Sequence, residues 1–139
     1  MDTKIVKFPK STEVVRDWGY EQTLVVASGK YAMKKLFLQK GKKGGLQYHR
    51  RKDEAIYILQ GKLIVRYEDE QGNLKEKICG PGDYAHFPNG AIHQEEAIED
   101  TLILECTTPH ANDRVRVDSM DHQRDFGLPT TEENQIKNL

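Results

Sequence analysis

Glycine, proline and charged turns break up the middle of this chain about every 8–12 residues, which leaves no room for long helices. The runs between them are rich in β-branched, aromatic and other apolar residues. Leu24-Val25-Val26-Ala27, Tyr31 to Gln39 and Leu46 to Arg51 come first. Ala55-Ile56-Tyr57-Ile58-Leu59, Leu63-Ile64-Val65-Arg66-Tyr67 and Leu74 to Ile78 follow. Tyr84 to Phe87, Ile92 to Glu96 and Thr101 to Thr107 complete the set. Turns such as Asp69-Glu70-Gln71-Gly72-Asn73 and Gly80-Pro81-Gly82-Asp83 suit tight reversals between strands. The pattern predicts an all-β sandwich or barrel of roughly eight to ten strands.

A chain of 139 residues fits one domain with a core large enough to need no disulfide. Its net charge of −1 gives no electrostatic case for nucleic acid or an anionic membrane surface. No apolar run approaches the ~20 residues of a membrane-spanning helix. The first ten residues carry charges throughout and no apolar h-region, so no signal peptide is expected. Cys79 and Cys106 stand apart among strand residues and form no CxxC pair, which predicts reduced thiols in a cytoplasmic protein. Residues 1–15 are expected to form an N-terminal arm. Residues 128–139 are expected to form a polar tail.

Two segments carry candidate chemistry. One is Gly45-Leu46-Gln47-Tyr48-His49-Arg50-Arg51-Lys52-Asp53-Glu54, and the other is Gly82-Asp83-Tyr84-Ala85-His86-Phe87-Pro88-Asn89-Gly90-Ala91-Ile92-His93. Alternate side chains of a strand share a face, so Gln47, His49 and Arg51 should project together. A bend at Lys52-Asp53 would let Glu54 face the same cavity, with Ile56 and Ile58 as its apolar floor. Pro88 and Gly90 set a turn ahead of His93, which would reach the site from another strand. An amide, two imidazoles and a carboxylate suit one divalent ion: Zn²⁺, Mn²⁺, Fe²⁺, Co²⁺ or Ni²⁺. His86 is expected to point outward, His122 to be solvated, and Trp18 and Tyr20 to cover one end of the barrel.

These two segments resemble the paired motifs of the cupin superfamily, Gly…His-x-His…Glu…Gly followed by Gly…Pro-x-Gly…His. The second is matched at Gly82, Pro88, Gly90 and His93, and the first at His49, Glu54 and Gly61. Arg51 stands where the first motif usually has its second histidine. Either Arg51 marks a lapsed site and pairs with Glu54 or Asp53, or Gln47 takes the vacated coordination position while Arg51 turns towards a substrate anion. The resemblance implies a single jelly-roll barrel, the double-stranded β-helix, over residues 16–127. It also implies a homodimer.

Leu46-Gln47-Tyr48-His49 is similar to the Leu-Gln-x-His segment of phosphomannose isomerases. Arg16-Asp17-Trp18-Gly19 and the stretch from Asn112 to Gly127 resemble the opening and close of the cupin domain in mannose-6-phosphate isomerase/guanylyltransferases. No guanylyltransferase segment is expected ahead of residue 16. The resemblance implies metal ligation by Gln47, His49, Glu54 and His93, and aldose–ketose isomerisation of a sugar or sugar phosphate. An ion would stabilise charge on the enediolate oxygens while a general base moves the proton. Glu54 and His110 are candidates for that base, with Arg51 beside them as a catalytic cation. Arg51, Lys35, Arg114 and Arg116 are candidate anchors for the phosphate, with Arg114 and Arg116 expected on one strand face. An Fe²⁺-dependent dioxygenase and a non-catalytic sugar- or metabolite-binding module are the alternatives.

Overall fold

A computed structural model describes residues 5–111 and 113–117, together with the strand pairings of 128–129 and 137–138. The strands are Thr12–Arg16 (β1), Gly19–Ala27 (β2), Tyr31–Leu38 (β3), Gln47–Tyr48 (β4), Glu54–Gln60 (β5), Leu63–Glu68 (β6) and Leu74–Cys79 (β7). They continue with Tyr84–Phe87 (β8), His93–Ala97 (β9), Thr101–Thr107 (β10), His110–Ala111 (β11), Val115–Arg116 (β12), Leu128–Pro129 (β13) and Lys137–Asn138 (β14). No helix is present among the described residues, and so none is long and apolar enough to cross a membrane.

Two antiparallel sheets wrap around one interior. The first has the order β1-β2-β3-β10-β5-β8 and the second β13-β12-β4-β9-β6-β7, while β11 and β14 form a small separate ladder. From β4 to β10 the chain passes repeatedly between the two sheets, the winding of a jelly roll. The expected all-β jelly-roll barrel is therefore the observed fold.

Period-two alternation decides what each strand puts inside. On β5, Glu54, Ile56 and Ile58 are buried while Tyr57 and Leu59 are exposed. On β10, Thr101, Ile103, Glu105 and Thr107 are buried, and Cys106 between them is exposed. Leu38, Ile56, Ile58, Leu63, Val65, Phe87 and Ile103 form the heart of the core, with Trp18 and Leu36 packed against it. Each such side chain contributes roughly 1.5–3 kcal/mol through its removal from water.

One glycine is imposed by close approach. Gly61 has φ of +93°, and a Cβ there would run into the Asp100 carbonyl. Its turn carries β5 into β6.

The two ends of the chain add detail to the expected boundaries. β1 begins inside the segment expected as an arm and pairs with β2 of its own chain, every residue of it exposed. Within the expected tail, Leu128–Pro129 pairs with β12 and Lys137–Asn138 with β11. His122 lies outside the described residues. Cys79 is buried and Cys106 exposed, and both are free thiols.

Candidate metal centre

Strands β4, β5 and β9 bring the candidate ligand atoms together. Gln47 on β4 lies opposite His93 on β9, and Glu54 opens β5 opposite Phe87 on β8 and Thr107 on β10. His49 follows directly on β4. Glu54 Oε1 lies 3.0 Å from His49 Nε2 and 3.2 Å from His93 Nε2. The three ligand atoms all lie within 4.8 Å of one another, and all three residues are buried.

The hydrogen bonds on the far side of each ring fix what these atoms can be. His49 Nδ1 donates to the Asp113 carbonyl at 2.7 Å, and His93 Nδ1 donates to the Ala91 carbonyl at 2.9 Å. A carbonyl only accepts, so each Nδ1 holds a proton, and it is Nε2 of each ring that faces inward, able to offer a lone pair whenever it carries no proton. The 3.0 Å contact between His49 Nε2 and Glu54 Oε1 needs positive charge between the two atoms, either a proton, which makes it a hydrogen bond, or a metal ion. The 3.2 Å approach of Glu54 to His93 Nε2 lacks hydrogen-bond alignment, leaving that nitrogen buried and unpartnered. Gln47 Oε1 is also buried without a partner. Two orphaned acceptors, a third lone pair and a carboxylate fit a divalent cation. Phe87 stacks on the His93 ring at 4.1 Å and holds its plane.

The position expected for Arg51 is taken by Lys52. Strand alternation fails here because β4 ends at Tyr48, and the next residues curl around one carboxylate. Asp113 accepts the backbone N–H groups of Arg50, Arg51 and Lys52 at 3.2, 2.6 and 2.8 Å, and the Arg50 side chain as well. Burial would push the Asp113 carboxyl up, but these donors outweigh it and hold it below its usual range. The loop therefore turns Arg51 out into solvent, away from the cavity, and sends Lys52 inward.

Lys52 Nζ bridges Glu54 Oε2 at 3.2 Å and Glu105 Oε1 at 3.1 Å. Burial alone would raise the Glu54 carboxyl. The neighbouring Glu105, His49 and His93 groups, with the Lys52 charge, keep it well below the usual range. Burial and the neighbouring Glu54 charge push Glu105 up to about 8. Lys52 moves up despite its burial, through its two carboxylates. Both Glu54 oxygens are thus engaged, which leaves neither for the base role considered above. Glu105 carried a readable signal, since it shares the inward face of β10 with Ile103 and Thr107. Asp113 carried none.

The centre sits in a cavity of about 580 Å³. Of the other candidates, His110 and Arg114 line it, and His110 Nδ1 lies 2.9 Å from the Thr108 hydroxyl. Lys35 and Arg116 lie outside it. Lys35 faces outward on β3 over the Tyr20 ring, while its neighbour Lys34 enters the cavity and pairs with Glu21 at 2.8 Å. Arg114 and Arg116 are both exposed, but only Arg114 lines the cavity. Trp18 lines the cavity wall, and Tyr20 stacks on Phe37 outside it. His86 points outward and meets Asp53 at 2.8 Å.

The family profile described as Cupin domain matches residues 35–110, more than half the chain, and spans Gln47, His49, Glu54 and His93. The chain belongs to the cupin family. This cupin matches no curated protein in sequence. Among solved structures it is similar to a mutant oxalate decarboxylase from Bacillus subtilis, with 26% identity and a TM-score of 0.65 over 77% of this chain and 31% of that one. A second mutant of the same species' oxalate decarboxylase matches at 24% identity and a TM-score of 0.69, over 84% of this chain and 34% of that one. Capsular polysaccharide assembling protein CapF from Staphylococcus aureus matches at 17% identity with a TM-score of 0.63, over 73% of this chain and 31% of CapF. The chain spans about a third of each of these proteins. In the cupin's second motif, Gly90 adopts φ of +88° and donates its N–H to the His49 carbonyl at 2.7 Å, so the turn of one motif holds the ligand of the other.

Proposed function

We propose that this cupin is a metal-dependent enzyme acting on a sugar or sugar phosphate, most simply an aldose–ketose isomerase of the mannose-6-phosphate type. One observation carries the reading: Nε2 of His49, Nε2 of His93 and Oε1 of Glu54 converge while both Nδ1 protons are committed to backbone carbonyls. Gln47 Oε1 stands ready as a further ligand. A divalent ion held there supplies Lewis acidity to substrate oxygens.

The remaining work falls to the chain's own groups. Trp18 offers a flat apolar wall to a sugar ring. His110, oriented by the Thr108 hydroxyl, holds and moves a proton at the cavity side. Arg114 at the rim takes the phosphate, whose oxygens match a guanidinium fork. The same reading takes a homodimer as the assembly and the cytoplasm as the compartment.

The test is a coupled assay for fructose-6-phosphate formed from mannose-6-phosphate by fully metal-loaded protein. Turnover that disappears in His93→Ala is expected. A full metal site with no fructose-6-phosphate contradicts the isomerase reading.

A second reading has one observation in its favour. Lys52 already supplies a cation to Glu54, as a module that binds metabolites without a metal would require. Metal content of protein purified without added ions separates the two.

A further inference from the structure

Lys52 is the buried cation nearest the ligand cluster, and its partners do not exhaust it. An ammonium carries three N–H donors. Glu54 Oε2 takes one at 3.2 Å and Glu105 Oε1 another at 3.1 Å. No further side-chain partner of Lys52 occurs among the described residues. The side chain is 16% exposed, and the space it meets is the cavity that holds His49 and Glu54. A largely desolvated ammonium with an unused donor, aimed into a polar cavity, lacks an acceptor.

Three features make this donor a fixed element. The two carboxylates hold Nζ from two strands, β5 and β10. The Asp113 carboxylate grips the Lys52 backbone N–H at 2.8 Å, which fixes the point from which the stem enters the cavity. The position is also one residue removed from Arg51, which the same carboxylate turns to solvent. Lys52 is therefore a preorganised point charge beside the Glu54 carboxylate, close to the place where a ligand oxygen would meet the centre.

We propose that Lys52 binds an anionic oxygen of the substrate, so that the site selects small molecules presenting two adjacent oxygens, one of them anionic, as in a hydroxy acid or an enediolate. This deepens the metal-dependent reading above and rests on it. Lys52 is a substrate-binding residue here, and Glu54 and Glu105 position it.

Glycolate, with a carboxylate next to a hydroxyl, is the probe. Cobalt content and the visible spectrum of Co²⁺-loaded protein give occupancy, and titration calorimetry gives glycolate affinity. Lys52→Met should weaken glycolate at least tenfold at matched cobalt occupancy. Lys52→Arg should restore most of the affinity, and Arg51→Ala should stay within twofold of the parent. Lys52→Met with Glu105→Gln avoids an uncompensated carboxyl pair, and should show the same tenfold loss if the single variant folds poorly. Glycolate affinity within threefold of the parent in the double variant, with cobalt bound, overturns the role of Lys52 and leaves the metal reading intact. A parent protein that takes up no cobalt removes the metal reading itself, and this inference with it.

Discussion

Strands β5 and β10 pass through two opposite interiors. At one end, Ile58 and Ile103 lie in a dry aliphatic core. At the other, Glu54, Glu105 and Thr107 on the same inward faces enclose charge. One residue pair of strand separates these environments. The core end tolerates no voids and needs no partners. The site end is held by pairing: Lys52 with two carboxyl groups, Asp113 with three backbone donors, and a carbonyl with each imidazole. The same alternation rule builds both, but the first is held by packing and the second by electrostatic pairing.

The largest expected effect lies at the core end. Ile58→Ala should cost roughly 2–5 kcal/mol in urea unfolding while leaving metal stoichiometry unchanged in the folded fraction. A loss of metal in step with that change would show that the two ends are not separable.

Asp113→Ala comes next, because it strands three backbone N–H groups and releases the loop. The expected cost is roughly 2–3 kcal/mol, with weaker metal binding as His49 loses its fixed orientation. Acid titration sharpens the point. The Asp113 carboxyl is held below its normal range, so its contribution is full above that range and fades as pH falls through the lowered value. Asp113→Asn should therefore flatten the acid limb of the stability curve. A limb as steep as that of the parent would count against the pairing.

Gln47→Ala should act only at the site end, reducing metal affinity on the order of tenfold with little change in unfolding midpoint. Competition against a chromophoric chelator measures it. Arg51→Ala should change neither metal affinity nor stability by more than about 0.5 kcal/mol.

Most of the fold was legible because its signals are local. Turn residues and β-branched runs marked the strands, and alternation correctly placed Glu54, Ile56 and Ile58 inside. The candidate ligand set was legible as two motifs, and the structure brings His49, Glu54 and His93 of that set together. Arg51 was misplaced for a reason that no local rule contains: Asp113, some sixty residues away in sequence, turns the backbone of the intervening loop. Lys35 and Lys34 are neighbours of opposite fate, and only the register of β3 against β10 decides between them. Arg114 and Arg116 are both exposed, as alternation with the buried Asp113, Val115 and Val117 requires, and what alternation could not tell is that only Arg114 lies at the cavity.

Elemental analysis of purified protein, with and without the His93→Ala change, bears most directly on the ligand cluster. About one equivalent of a divalent transition metal per chain, lost in the variant, is the expected result, along with a rise in melting temperature on adding metal to stripped protein. Less than about a tenth of an equivalent, with no thermal gain from any added ion, would mean that His49, Glu54 and His93 converge on a proton rather than a metal.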